Sequence, residues 1–147
     1  MTDLDDIYSD KIMEFAARIS HTKRLENPDA SASAHSKLCG SKIGLDIKMD
    51  GDRITDFGQD VNACLLGQVS ASIVAREIIG TTSGELRNVA QTMHDMLKKG
   101  GPPPSGRWQD LEILEPVKDY HARHASTLLV FTALNDAISQ IENRSKK

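Results

Sequence analysis

Two cysteines and a pair of histidines are the residues of this chain whose types and spacing suit metal chemistry best. Cys39 lies in the segment KLCGSK, directly before Gly40, and Cys64 opens the segment CLLGQVSASIV. His121 and His124 are three residues apart, which on a helix places both rings on adjacent positions of one face. Thiolate and imidazole are donors that zinc and iron prefer in proteins. If the turns converge, these side chains form a metal site.

Each of these residues also has a structural interpretation. A free cysteine is often a small buried hydrophobic residue, and this interpretation suits Cys39 taken alone. Cys64 comes where a helix is expected to start, and the positive end of the helix dipole stabilises a thiolate, the form that binds metals and attacks electrophiles. A histidine pair is typical of a polar helix surface. The other histidines have no partner pattern and are interpreted as structural or solvent-facing: His21, His35 and His94.

Other familiar catalytic patterns are absent from the sequence. There is no phosphate-binding glycine loop, no G-x-S-x-G nucleophile motif and no H-E-x-x-H zinc helix. The carboxylates are spaced like those of solvated helix faces, so no acid and base pair stands out.

The elements that must position the cysteines begin with a predicted amphipathic helix over residues 4–19. Its apolar residues recur every three or four positions, and Thr2 or Asp3 is available as its cap. Asn27-Pro28 disfavours helix, and a strand is predicted over residues 32–38.

A β-hairpin is predicted between the two cysteines. Apolar residues alternate along the segment KIGLDIKMDGDRITDF, and Asp50-Gly51 supplies the turn. An antiparallel sheet with one wet face follows from this alternation. The alternating residues are Ile43, Leu45, Ile47 and Met49, with Ile54 and Phe57 on the return strand.

Helices are predicted for most of the chain beyond Cys64. The first ends at Gly80, and the second starts with a capping box formed by Thr82 and Glu85. The Gly/Pro-rich residues 99–106 form an exposed loop within one domain that spans residues 1–147. Strands and helices are each grouped along the chain, which predicts an α+β fold with helices on one face of a small antiparallel sheet of about three strands and a long C-terminal helix. The buried residues of the second helix are predicted to be Leu86, Val89, Ala90, Met93, Met96 and Leu97, and the apolar residues after the loop are Trp108, Leu111, Leu114, Val117 and Tyr120.

Composition excludes several classes of protein. The chain has 147 residues, of which 39% are hydrophobic and 27% charged, as expected for one globular domain. Its net charge of -3 argues against non-specific nucleic-acid binding, and no apolar run is long enough to cross a bilayer. The acidic start MTDLDDIYSDKIMEF is unlike a secretory signal, so a cytoplasmic location is expected.

Together these landmarks resemble the U-type iron-sulfur cluster assembly scaffold family, which comprises IscU, SufU and the amino-terminal domain of NifU. IYSDKIMEF followed by ENP resembles the opening helix and turn of the family, and LCGSKIGLDIKMDGDRITD resembles its first cysteine loop and hairpin. ACLLGQVSASIVARE resembles its second cysteine and the helix that follows. The long loop, with WQDLEIL and HASTLLVFTAL after it, resembles the SufU-type version.

The resemblance implies an exposed site for a transient iron-sulfur cluster or zinc, with Cys39, Cys64 and His124 as ligands. Two positions depart from the family pattern: Ala125 stands where a third cysteine is expected and Ser41 where an aspartate is expected. Because a methyl group donates nothing and a neutral hydroxyl donates poorly, cluster assembly is expected to be weakened or altered. Zinc would still have three protein donors, with water, His121 or a partner's side chain as the fourth ligand.

The implied function is a non-enzymatic scaffold or accessory protein, a monomer or homodimer, that works with a cysteine desulfurase and apo iron-sulfur proteins. One alternative is a persulfide acceptor that uses Cys64 or Cys39, and another is a degenerate paralogue with a regulatory binding role. The segment LEPVK at residues 114–118 resembles a chaperone-recognition segment, but we interpret Leu114 and Val117 as core contacts around Pro116.

Overall fold

The structure, a computed structural model, describes residues 9–37 and 40–145 of the chain. Three strands come between the first helix and the others: α1 (Asp10–Ala17), β1 (Ala30–His35), β2 (Lys42–Asp50), β3 (Arg53–Asn62), α2 (Leu65–Glu77), α3 (Ser83–Lys99), two 3₁₀ helices (Gly106–Asp119 and His121–Arg123) and α4 (His124–Ser145). The predicted α+β class and the long last helix are confirmed. Within the described ranges, no helix is both long enough and apolar enough to cross a membrane.

The sheet is antiparallel throughout, with the strand order β1-β2-β3. Ala32 pairs with Leu45, and Leu45 pairs with Gln59 on the other side. The predicted hairpin is confirmed, since β2 and β3 are joined at Asp50 and Arg53 across two residues. Helix α4 packs on β1 and β2 and also against α2 and α3, so one face of the sheet and the helices share the core. The central strand contributes Ile43, Leu45 and Ile47, none of which is exposed.

The opposite face of β2 is not fully wet, contrary to the expectation from alternation. Gly44 and Asp46 are buried there beneath the chain that leads from α1 to β1. Asp46 accepts hydrogen bonds from Arg24 Nε at 2.7 Å and Nη2 at 2.9 Å, and from the Leu25 amide at 2.9 Å. A Cβ on Gly44 would come within 2.7 Å of Arg24 Nη1, so the lack of a side chain lets the guanidinium lie against the strand.

Several predicted boundaries move. In the described residues α1 begins at Asp10, where Ser9 Oγ accepts a hydrogen bond from the Ile12 amide, and the predicted caps Thr2 and Asp3 lie outside those residues. Strand β1 covers Ala30–His35 rather than residues 32–38, of which residue 38 lies outside the description. Helix α2 ends at Glu77 rather than at Gly80, which lies in the following turn with φ +89°.

The helical regions on either side of the loop agree with the predicted burial. Thr82 Oγ1 accepts a hydrogen bond from the Glu85 amide at 3.1 Å, as the capping box requires, and the predicted stripe of α3 is buried. In the loop, Pro104 is buried rather than exposed. Trp108, Leu111, Leu114 and Val117 are spaced by three, so they fall on one side of a helix with three residues per turn, and all four are buried.

Candidate metal centre

Cys64 lies at the start of α2, where it is the N-cap residue. It is half-buried, and its thiol is free of any disulfide. The backbone amide of Cys64 donates a hydrogen bond to Ser41 Oγ at 3.0 Å, and the thiol donates to Ser126 Oγ at 3.2 Å. The predicted junction between strand and helix is therefore confirmed. The residue is fixed from two sides, by the start of β2 and by the start of α4.

Ser41 occupies the place where the family resemblance leads us to expect an aspartate. Its side chain is buried, and its hydroxyl oxygen accepts the Cys64 amide, which has no acceptor within α2. The backbone carbonyl of Ser41 accepts the amide of Ser36 at 2.8 Å, so the two ends of the connection between β1 and β2 are tied together. Cys39 belongs to this connection in sequence but lies outside the described residues.

His124 is the first residue of α4, and its side chain is buried. Its Nε2 lies 3.0 Å from the Val117 carbonyl oxygen and 3.1 Å from that of Lys118. Because carbonyl oxygens can only accept, Nε2 carries the hydrogen and donates to both. In the neutral ring Nδ1 then has a lone pair, and this atom is buried without a hydrogen-bond partner among the described residues.

The charge state of His124 follows from its surroundings. Burial lowers the pKa of His124 below its ordinary value, and the positive charge of Lys98 acts in the same direction. The two carbonyl contacts oppose these effects without reversing them. The imidazole is therefore neutral near pH 7, which is the form that binds metals.

Close contact between the starts of α2 and α4 brings the cysteine and histidine segments together. Ser70 Oγ in α2 donates to the Thr127 carbonyl oxygen in α4 at 2.7 Å. A Cβ on Gly67 would lie 2.9 Å from the Cβ of Ala63 and 3.0 Å from the Ser126 carbonyl oxygen. Only glycine lets the two helices approach this closely, because a larger side chain would collide with both neighbours.

The structure brings the segment of Cys64 and the segment of His121 and His124 together. Cys64 contacts Ser126, two residues beyond His124, and the ring centroids of His121 and His124 are 5.0 Å apart. His121 and Ala125 are both exposed. In residues 9–37 and 40–145 no three histidine, cysteine or acidic residues lie close enough together to hold a metal ion.

One observation is compatible with a metal ligand: the buried Nδ1 of His124 has no hydrogen-bond partner in the described part of the chain. Metal-binding histidines commonly donate their other ring N–H to a backbone carbonyl, which fixes the tautomer and the ring orientation. His124 meets this description through Val117 and Lys118. Ser126 is a residue of this region that the sequence did not reveal. In the segment HAST (residues 124–127), the sequence does not show which of the two hydroxyl groups hydrogen-bonds with Cys64.

Comparison with known proteins places these features in a family. The family model described as the NifU-like N terminal domain matches residues 7–127. The iron-sulfur cluster assembly scaffold protein IscU of Streptococcus pyogenes serotype M1 is 24% identical over 143 residues, covering 97% of this chain and 89% of that protein. The zinc-dependent sulfurtransferase SufU of Bacillus subtilis strain 168 is 25% identical over 139 residues, covering 95% and 94%.

Solved structures agree with this placement. The crystal structure of a nitrogen-fixing NifU-like protein (N-terminal) from Brucella abortus has a TM-score of 0.94 and 50% sequence identity. The match covers 96% of this chain and 98% of that one.

Proposed function

Because this chain belongs to the family of NifU-like N-terminal domains, we propose that it is an iron-sulfur cluster assembly scaffold or accessory protein. Cys39, Cys64 and His124 bind its iron, cluster or zinc. Among the relatives, one is named an iron-sulfur cluster assembly scaffold and another a zinc-dependent sulfurtransferase, so both an iron-sulfur cluster and zinc appear in the names of similar proteins. The protein acts without catalysing a reaction of its own, and it works with a cysteine desulfurase and apo iron-sulfur proteins.

The observation that carries this proposal is the state of His124. A buried acceptor without a hydrogen-bond partner costs free energy of folding, so an unpartnered Nδ1 in His124 indicates that this nitrogen has a role outside the fold itself. The Nδ1 lone pair belongs to a neutral ring at the start of α4, close to the segment that contacts Cys64. A bond to a metal ion would provide the buried Nδ1 of His124 with the partner that it lacks among the described residues.

The charges of the donors favour a divalent ion. Cys39 and Cys64 as thiolates supply two negative charges, and neutral His124 supplies none, so a zinc or ferrous ion would be neutralised within the site. Ala125 adds no donor and is exposed, which leaves a coordination position for water or for a group from a partner. A site of three protein ligands with one open position is typical of zinc sites that exchange ligands.

A second candidate function is sulfur transfer, and the half-buried thiol of Cys64 is the observation that favours it. Its thiolate would attack the outer sulfur of a persulfide on a cysteine desulfurase. A new S–S bond forms on Cys64, the original S–S bond breaks, and the thiolate of the desulfurase leaves with the electron pair. Ala125 stands where the resemblance implies a third cysteine and has no thiol, so Cys64 or Cys39 would have to accept the sulfur.

The test of the proposed function is anaerobic purification followed by metal and sulfide analysis. The unmodified protein should carry iron or zinc in a fixed ratio to protein, and Cys39→Ala, Cys64→Ala and His124→Gln should each lose most of it. In His124→Gln the side-chain amide can still donate to the Val117 carbonyl, but the ring nitrogen is gone. His94→Gln, which changes an exposed histidine of α3, is the matched control and should retain the metal. Equal metal in all five proteins would refute the site.

Incubation with a desulfurase and cysteine tests the second candidate by intact mass. An added sulfur on the unmodified protein that disappears in Cys64→Ala would support transfer through that residue. A mass that never changes would exclude it.

A further inference from the structure

We propose that Ser126 is a positioning residue that donates a hydrogen bond to the sulfur of Cys64 when that sulfur binds a metal ion. This inference rests on the proposed function, because it concerns the same site. Ser126 has no accessible surface, and its hydroxyl oxygen lies 3.2 Å from the Cys64 sulfur. It would act on the metal through the thiolate and not as a ligand.

The hydroxyl of Ser126 has two hydrogen-bond partners. It accepts the thiol hydrogen of Cys64 and donates its own hydrogen to the Arg123 carbonyl oxygen at 3.2 Å. The two hydrogen bonds therefore follow one another, from the Cys64 thiol to the Ser126 hydroxyl and from that hydroxyl to the Arg123 carbonyl oxygen.

Metal binding would reverse the first of these hydrogen bonds. The S–H bond would break, its proton would pass to solvent, and the sulfur would use an electron pair to bind the metal. The sulfur can then only accept, so the Ser126 oxygen would face an acceptor with no hydrogen between them. Rotation about the Cβ–Oγ bond of Ser126 points its hydrogen at the sulfur and restores the contact.

Thr127 makes this rotation inexpensive. Thr127 Oγ1 also donates to the Arg123 carbonyl oxygen, at 2.8 Å. When Ser126 turns away, that carbonyl keeps a hydrogen bond and is not left unsatisfied. Two adjacent hydroxyl groups therefore share one acceptor, and that of Ser126 also hydrogen-bonds with Cys64.

Hydrogen bonds to a metal-bound thiolate orient it and draw charge away from the sulfur. Residues that support a ligand in this way typically change metal affinity by about 10-fold to 100-fold when they are removed. They also shift the electronic properties of the site. The loss of the Ser126 hydroxyl should therefore be visible in the spectrum of the metal complex as well as in its affinity.

The experiment is titration with Co²⁺ under anaerobic conditions, which gives the sulfur-to-cobalt charge-transfer band and the dissociation constant together. Ser126→Ala should move the band to lower energy and weaken binding by about tenfold. The matched control is Ser70→Ala, because Ser70 is another fully buried serine of α2, and its hydroxyl hydrogen-bonds to the Leu66 and Thr127 carbonyl oxygens rather than to the Cys64 sulfur. Identical bands and affinities in the two variants would overturn the proposal.

A second measurement separates this proposal from the metal site as a whole. Methylmercury binds a single thiolate and needs no other ligand, so it can be loaded onto Cys64 in the Cys39→Ala background. Competition with glutathione should then remove it more readily from the Ser126→Ala protein than from the Ser70→Ala protein. If the unmodified protein binds no Co²⁺ but this difference appears, the proposed metal site fails and the hydrogen bond stands. No difference would reject the role of Ser126.

Discussion

Ala125 and His124 are adjacent residues in opposite environments. His124 is buried, and its Nδ1 has no hydrogen-bond partner among the residues that the structure describes, whereas Ala125 is exposed at the same helix start. His124 retains a ring nitrogen that could bind a metal, and the side chain of Ala125 has no donor atom. A thiol at position 125 would restore a donor without disturbing the core, because an exposed alanine has room for one more heavy atom.

The substitution Ala125→Cys should therefore increase cluster retention. Iron-sulfur clusters are held mainly by thiolates, so a third cysteine should yield more iron and sulfide per protein and slower loss of visible absorbance after anaerobic reconstitution. Ala122→Cys is the control, since residue 122 is also exposed and is close in sequence. An equal gain in both variants would mean that added thiols act non-specifically and not through this site.

The sequence was informative about these residues only up to their chemical types. Cys64 at a helix start could be predicted, because the apolar spacing changes from two to 3.6 at that point. The free Nδ1 of His124 could not, since it depends on which ring nitrogen meets the carbonyls of Val117 and Lys118. The contact between Cys64 and Ser126 joins residues 62 positions apart, which no local pattern records.

At the scale of elements, the approach of α2 to α4 determines whether the cysteine and histidine segments meet. Gly67→Ala should push the two helices apart, because the new methyl group would collide with Ala63 and with the Ser126 carbonyl. We expect a loss of about 1–3 kcal/mol in the free energy of unfolding and weaker Co²⁺ binding. Urea denaturation and Co²⁺ titration measure the two effects.

Gly84→Ala provides the matched comparison for this prediction. Gly84 lies in the first turn of α3, and a Cβ there would meet nothing within 4 Å. The change should be neutral or stabilise the protein by up to about 1 kcal/mol, because alanine favours helix over glycine. If Gly67→Ala behaves in the same way, close helix contact is not what positions the site.

Elements with a strong periodic signal could be predicted, and those without one could not. The hairpin and the capping box at Thr82 and Glu85 have local causes and occur as expected. The segment Gly106–Asp119 is a 3₁₀ helix, and its buried apolar residues recur every three positions because this helix has three residues per turn. The end of α2 was misplaced because Gly80 serves the following turn and not the helix.

At the scale of the whole molecule, Asp46 ties the chain after α1 to the sheet. The hydrogen bonds from Arg24 hold the pKa of Asp46 at about 2, below its ordinary value of 3.8, although burial opposes this. The ionised carboxylate therefore stabilises the fold at pH values above 3.8, and this contribution is lost as the pH falls toward 2. Alternation alone could not predict this covered face, because Arg24 reaches it from a segment without regular structure.

Asp46→Asn should lower the free energy of unfolding by about 2 kcal/mol at neutral pH. The difference from the unmodified protein should shrink as the pH is lowered from about 4 toward 2, where the aspartate becomes protonated. Urea denaturation across this range measures both. Asp56→Asn, which changes an exposed residue of β3, should have little effect. A difference for Asp46→Asn that is constant with pH would contradict an ionic role.

X-ray absorption spectroscopy of the zinc-loaded protein is the sharpest test of the proposed ligands, because it counts the atoms bound to the metal. We predict two sulfur ligands at about 2.3 Å and at least one imidazole nitrogen at about 2.0 Å, with the nitrogen signature lost in His124→Gln. A spectrum with only nitrogen and oxygen ligands, or one that His124→Gln leaves unchanged, would contradict it.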